Sequence, residues 1–223
     1  MAIVMKDQDV RLSTMGSRAW LVEAPGAFDL PAQRRIWSLA QQLNQREDIE
    51  ALIPGVTNLL VLFRHTPADP QSTEASLRHY WQLARAVDPQ GKLIEIPVWY
   101  GGEHASDLVA VCEHTGLSAE EVVRRHYQGQ YTVFAVGSAP GFGYLHGLDP
   151  LLATPRKKVP SLNMLKGTVT IGGPQAGVSV LTGPNGWNAI GYAELEVFNP
   201  HAEIPALMAP GDKIRFVPER IEL

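Results

Sequence analysis

The chain of 223 residues has one cysteine, Cys112, so no intramolecular disulfide can form, and a reducing, cytoplasmic location is the simplest expectation. Charge is also sparse. Only 19% of residues are charged, the formal net charge is −4, and no lysine–arginine run stands out. Phosphate backbones are bound by clustered cations, so a nucleic-acid partner is not expected. No apolar run approaches the length of a membrane span, and residues 1–10 lack the basic region, long apolar stretch and cleavage site of a signal peptide. The seven histidines are scattered, and none stands at metal-ligand spacing with a carboxylate motif. No Gly-x-Ser-x-Gly elbow is present. Lys166-Gly167-Thr168 lacks the preceding glycine spacing of a phosphate loop, and Gly172-Gly173-Pro174-Gln175 lacks the helix of a dinucleotide fingerprint. The chain therefore carries no standard nucleotide motif, and nothing in it marks a metal or biotin site.

What the chain does have is glycine and proline set beside aromatics between Val136 and Trp187. There stand Pro140-Gly141-Phe142-Gly143-Tyr144-Leu145, Pro155-Arg156, Gly172-Gly173-Pro174-Gln175-Ala176-Gly177 and Gly183-Pro184-Asn185-Gly186-Trp187. Glycine lets a partner backbone approach closely, and proline fixes φ. The combination describes either shaped loops around a cleft or the turns of a small barrel.

Before this stretch the pattern alternates. Arg18–Val22 reads as a strand. Pro31–Gln45 reads as a helix with Ile36, Leu39, Ala40 and Leu43 on one face. Asn58–Phe63 is a continuous apolar run suited to a strand buried on both faces. A second helix carries Leu77, Tyr80, Trp81 and Ala84 on one stripe, and Leu93–Tyr100 reads as the next strand. The class is α+β, with a small α+β N-terminal domain over 1–93 and a β-barrel domain over 94–223.

The barrel domain opens with two short helices. Ser106 can cap the first, which Gly116 ends, and Ser118 with Glu121 forms a capping box for the second. Tyr131–Val136, Thr168–Ile171, Gly177–Leu181, Ala189–Val197 and Lys213–Val217 are the expected strands.

Arg156 and Lys166 are the cations best placed to meet an anionic ligand, because both lie in the loop-rich half. Lys157 and Lys158 read as a solvated turn. Gln175 can donate and accept between glycines that permit close approach. Trp187 either walls a pocket or plugs the barrel. Phe142, Tyr144 and the Pro140-Gly141 turn complete the candidate ligand-binding set, and His146, just beyond, is a weaker candidate. Cys112, among Leu108, Val111 and Thr115, reads as a buried, inert thiol. His126 lies near a helix end, where a cation can favour the dipole. No catalytic residue is assigned.

The ordered motifs resemble the allophanate hydrolase subunit 1 family, whose members include the B component of the bacterial 5-oxoprolinase and sporulation kinase inhibitors. The resemblance runs nearly end to end. It includes Gly16-Ser17-Arg18-Ala19-Trp20-Leu21-Val22-Glu23, Glu95-Ile96-Pro97-Val98-Trp99-Tyr100-Gly101-Gly102, Asp107-Leu108, Pro140-Gly141-Phe142 with Tyr144-Leu145, Pro155-Arg156, Ile171-Gly172-Gly173-Pro174-Gln175, Gly186-Trp187 and Pro210-Gly211-Asp212. The resemblance implies that the barrel is cyclophilin-like. It implies a partner, a larger carboxyltransferase-like subunit, and in the 5-oxoprolinase a third catalytic subunit as well. The implied activity is ATP-dependent ring opening of 5-oxoproline to glutamate, with ATP used at the level of the complex, by this chain or by a diverged paralogue with altered substrate. The alternative it implies is a non-catalytic regulator that binds a sensor histidine kinase or completes a carboxyltransferase-like partner.

Several positions depart from the family pattern. Gly143 stands for the usual proline after Phe142, and Pro160-Ser161 for a second Pro-Arg. Lys166-Gly167-Thr168 lies within a segment usually written Val-Pro-Ala-Gly-Ser-Val. Ala176 and Ser179 replace a threonine and a tyrosine, and Asn185 replaces a glycine. An arginine and two hydroxyl-bearing groups are thus lost together from cleft segments, each able to contribute about 1–3 kcal/mol to binding. The fold should survive these changes, while the substrate or the catalysis is open to change.

Overall fold

The computed structural model describes residues 10–26, 28–86 and 89–223. The chain divides into two compact units between residues 89 and 90. In the first, β1 (Arg11–Met15), β2 (Ala19–Glu23), β4 (Asn58–Phe63) and β3 (Ile49–Pro54) form an antiparallel sheet in that spatial order. Helices α1 (Leu30–Leu43) and α2 (Pro70–Leu83) supply Ile36, Leu39, Leu43, Leu77 and Trp81 to the core. Each begins on an aspartate. Asp29 accepts from the Ala32 N–H at 2.8 Å and Asp69 from the Gln71 N–H at 2.9 Å, and each is followed by a proline in the first turn, where no N–H is needed. Strand β4 buries Leu59, Val61 and Phe63 but leaves Asn58, Leu60 and Leu62 half-buried. The continuous apolar run is therefore buried on one face, because only one side of this sheet carries the main core.

The second unit is a barrel. β5 (Leu93–Gly101), β6 (Tyr131–Val136), β7 (Gly143–His146), β9 (Thr168–Gly172), β10 (Gln175–Val178), β12 (Asn188–Tyr192) and β13 (Lys213–Glu222) close in the order β10-β7-β6-β13-β5-β12-β9. Closure leaves no free edge on the ring. Only β5 and β13 pair in parallel. Alternate residues point inward, so Ile96, Val98, Tyr100, Val133, Leu145, Ile171, Val178 and Phe216 are buried together. A separate two-stranded ribbon pairs β8 (Ser161–Met164) with β11 (Gly183–Asn185).

Three differences from the sequence expectations have simple causes. Strand β10 ends at Val178, where the chain turns away to wall a cavity. β12 ends at Tyr192 because its partner β9 begins opposite it at Thr168, and the Ala193 N–H makes a last bond to the Gly167 carbonyl at 2.9 Å. β13 runs on to Glu222 because β5 offers it a partner over its whole length. The short strands β7, β8 and β11 lie in the Gly/Pro-rich text whose residue types read as turns.

Helix α3 (Leu108–Thr115) ends at Gly116, whose φ of 71° is left-handed, and α4 (Ala119–Gln128) starts on Ser118, which accepts from the Glu121 N–H at 3.3 Å. The N-cap position of α3 is Asp107 rather than Ser106, and its carboxylate is used elsewhere. Cys112 is partly buried, and its thiol pKa is raised, chiefly by burial. Among the described residues no helix is long and apolar enough to cross a membrane, and no three His, Cys, Asp or Glu side chains are grouped to hold a metal ion.

His126, expected as a helix-end cation, is instead fully buried against Tyr100, Tyr131 and Phe216. A 2.8 Å hydrogen bond joins its Nδ1 to the Tyr100 hydroxyl, and the Tyr131 hydroxyl donates to its carbonyl at 2.7 Å. Burial pushes the imidazole pKa down to about 3, so the ring is neutral at pH 7. The unfolded chain binds this proton near pH 6.5 and the native protein only near 3, so stability falls as pH drops through that window. Carboxylates with lowered pKa values, such as Glu121 bonded by Arg124 and Asp149 bonded by the Leu151 N–H and Arg125, lose their contribution only below about 4.5. Urea unfolding at pH 7 and pH 5 should therefore show a loss of about 2 kcal/mol, and His126→Phe should remove most of that difference. An unchanged pH dependence in the variant would count against this account.

Candidate functional site

The site grows from the packing of one tryptophan. The Asn185 side-chain oxygen accepts from the Trp187 N–H at 2.8 Å and sets the ring's direction. The ring lies against strands β9 and β10 where both carry glycine. A Cβ at Gly172 would fall 2.2 Å from Trp187 Cδ2, and one at Gly177 would fall 2.8 Å from Phe142 Cζ and 3.2 Å from Trp187 Cζ3. Any side chain at Gly172 would displace the indole. Phe142 meets Trp187 edge-to-face with centroids 5.5 Å apart at 82°, and Tyr144 meets Phe142 at 5.0 Å and 88°.

These rings line a cavity of about 510 Å³, a volume suited to a small-molecule ligand. Arg156 lines it too, with its guanidinium carbon 5.6 Å from the centroid of the Trp187 ring. Among the described residues Arg156 has no carboxylate partner. The neighbouring polar groups are mostly engaged. Asn185 Nδ2 donates to Ser179 Oγ at 3.1 Å, and Thr182 Oγ1 accepts from the Lys166 N–H at 3.0 Å. The chemical offer of the cavity is one planar cation over an aromatic floor, which suits a carboxylate attached to a small flat body.

Of the residues singled out in the sequence, Phe142, Tyr144, Arg156 and Trp187 come together on this cavity. Trp187 both walls it and packs into the core, at 4% exposure. Pro140 and Gly141 shape the turn that carries Phe142 and do not line the cavity. Gly141 has a φ of 81°, and a Cβ there would sit 2.9 Å from that of Phe198. Lys166 lies in the turn between β8 and β9 and borders a separate hollow with Tyr192, Glu194 and Glu196. Gln175 opens β10 opposite Gly172 and does not line the cavity, and its Nε2 is buried without a hydrogen-bond partner among the described residues. His146 stacks on Phe134 at 4.4 Å and is likewise outside the lining.

Residue types gave no sign of two features beside this cavity. Ser138 lines it in a left-handed backbone conformation, a property that its residue type does not announce. Lys157, read as part of a solvated turn, is instead largely buried. Its Nζ donates to Asp107 Oδ2 at 2.7 Å and to Ser161 Oγ at 2.6 Å, with both charged side chains only 16% exposed. Asp107 Oδ2 also accepts from the Ala189 N–H at 2.8 Å, so this carboxylate ties the start of α3 to β12 and to the segment that carries Arg156. Asp107→Ala should cost about 2–4 kcal/mol, by leaving Lys157 and the Ala189 N–H unpaired. Asp107→Asn, which keeps an oxygen for Ala189, should cost less, and equal losses in urea unfolding would contradict this assignment.

A family model described as carboxyltransferase domain, subdomain C and D, matches residues 10–208. The B component of the 5-oxoprolinase of Escherichia coli O157:H7 is 39% identical over 213 residues, covering 96% of this chain and 98% of that protein. The crystal structure of TTHA0988 superposes with a TM-score of 0.73 at 32% identity over 90% of this chain, which spans 39% of the length of that protein. The urea amidolyase of K. lactis shares the fold, with a TM-score of 0.82 at 19% identity, over 97% of this chain and 15% of the amidolyase.

Proposed function

The chain belongs to the carboxyltransferase domain family, subdomain C and D, and from that premise we propose that it is the B component of a 5-oxoprolinase-type complex, with the Arg156 cavity binding the small carboxylate substrate. The near full-length identity to the corresponding Escherichia coli 5-oxoprolinase component supports the complex. The observation that carries the site is Arg156, a guanidinium without a carboxylate partner among the described residues, over the Trp187 ring in a cavity of small-molecule size. 5-Oxoproline is a five-membered lactam bearing one carboxylate. Its carboxylate would pair with Arg156, and its flat ring would lie among Phe142, Tyr144 and Trp187. Pairing in a partly desolvated space is stronger than in water. Because Ser161 is held by Lys157 and Arg156 is the one cation of the lining, Arg156 bears the anion alone.

The reaction cleaves the lactam C–N bond with water to give glutamate, and ATP hydrolysis to ADP and phosphate drives it. A triphosphate needs several cations or a cradle of backbone N–H groups, and this cavity offers one guanidinium. Its residues do not fit a nucleotide polyphosphate, so in this proposal ATP is held by another subunit. The partners are a larger carboxyltransferase-like subunit and a third catalytic subunit, and the assembly works in the cytoplasm. This chain binds and orients the carboxylate and shields it from bulk water.

The test is co-expression with the carboxyltransferase-like partner. Co-elution in gel filtration at micromolar concentration, followed by calorimetric titration with 5-oxoproline, is the expected outcome. Arg156→Ala should then weaken binding by about 1.5–3 kcal/mol and leave the unfolding midpoint unchanged. Separate elution would remove the complex, and an unchanged affinity in the variant would remove the site. Co-purification with a sensor histidine kinase instead would favour the regulator.

A further inference from the structure

Ser138 has a φ of 61°, in the left-handed region that serine rarely occupies. Its loop holds it there. The Gly137 N–H bonds to the Phe142 carbonyl at 3.0 Å, and the Phe142 N–H to the Ala139 carbonyl at 3.1 Å. Phe142 itself is wedged against Gly177 and Trp187. Non-glycine residues held in such conformations by their surroundings concentrate at functional sites.

The other non-glycine residue with positive φ among the described residues is Thr57 in the first unit, and it shows what a structural role looks like. Its hydroxyl donates to the Val56 carbonyl at 2.8 Å, and its N–H donates to Gln33 Oε1 at 2.6 Å. The Ser138 hydroxyl makes no hydrogen bond to the described residues, yet Ser138 lines the cavity together with Arg156. Ser179, Asn185 and Thr182 on the same wall are engaged with one another or with backbone. Arg156, Tyr144 and Ser138 are left to meet a ligand.

We infer that Ser138 is a specificity-determining residue of this site, whose hydroxyl donates a hydrogen bond to a second acceptor oxygen of the ligand while Arg156 takes the carboxylate. The inference rests on the reading of the cavity given above, and it assigns the lactam carbonyl of 5-oxoproline to Ser138. A ring carboxylate without that carbonyl would keep the Arg156 contact and lose the Ser138 contact. The left-handed conformation adds a separate signature, because glycine at 138 removes the strain together with the hydroxyl, whereas alanine removes only the hydroxyl.

The experiment titrates the full chain with its partner subunit, using 5-oxoproline and cyclopentanecarboxylate, which keeps the ring and carboxylate and lacks the lactam. Ser138→Ala and Ser138→Gly should each weaken 5-oxoproline binding about 5- to 10-fold and leave cyclopentanecarboxylate binding unchanged. In the ligand-free chain Ser138→Gly should raise Tm by about 2–4 °C, and Ser138→Ala should not. If both Ser138 variants bind 5-oxoproline like the parent while Arg156→Ala weakens both ligands, the role of Ser138 is refuted and the cavity stands. If the parent complex binds neither compound, or neither position affects binding, the cavity reading fails and Ser138 with it.

Discussion

Strand β13 comes from the far end of the chain and lies parallel to β5 from Lys213 beside Leu93 to Glu222 beside Gly101. These are the first and last strands of the second unit, and their pairing closes the barrel. Without it β5 would keep only β12 as a neighbour and β13 only β6, and the ring would open with two free edges. The inward rows Ile96, Val98 and Tyr100 from β5 and Ile214 and Phe216 from β13 form part of the core wall. Because this contact joins residues 120 or 121 apart, its loop-closure entropy must be offset by contacts that local structure cannot supply. The Asp212 carboxylate supports it at one end, accepting from the Lys92 N–H at 3.0 Å and the Ala209 N–H at 2.9 Å, so the turn before β13 is tied to the residue before β5.

The barrel frame gives the cavity its rigidity. Trp187 reaches its place because β9 and β10 present glycines at the point of contact, and Phe142 reaches its place because a strained turn delivers it between Gly177 and the indole. The floor is therefore built from ring contacts that leave little room for rearrangement. On this floor the charged groups divide cleanly. Lys157 is consumed by Asp107 and Ser161, a partnership that fixes the segment following Arg156, whereas Arg156 projects from that same segment without a carboxylate partner among the described residues. A paired cation holds structure, and an unpaired one beside an aromatic face is available for an anion. Ser161 fits this division, since its hydroxyl serves the lysine.

Much of this was legible in the chain before folding was considered. The helical stripes of α1 and α2, the Ser118 cap of α4, the stop at Gly116 and strand β6 follow from side-chain period and local hydrogen bonding, which act over a few residues, whereas the Glu121 carboxylate expected to complete a capping box is taken by Arg124 and Arg125. The aromatic residues and the arginine that line the cavity stood out in the sequence because glycines flank them and because their order resembles a known family. Lys166 and Gln175 belonged to the same stretch of text and reached other places. Sequence proximity to a loop does not tell which side of a strand or turn a residue leaves from.

The sequence by itself determined the class, the alternation that gives way to Gly/Pro-rich β text, and the absence of the motifs that nucleotide, metal and nucleic-acid sites require. Only the tertiary structure decided that Arg156 has no carboxylate partner among the described residues, that His126 is a buried neutral ring, and that Ser138 stands strained at the cavity wall. The reason is range. Propensity, capping and periodicity depend on neighbours along the chain, whereas pairing, burial and backbone strain depend on residues that meet only when distant segments close, such as Asp107 with Lys157 or Trp187 with Gly172.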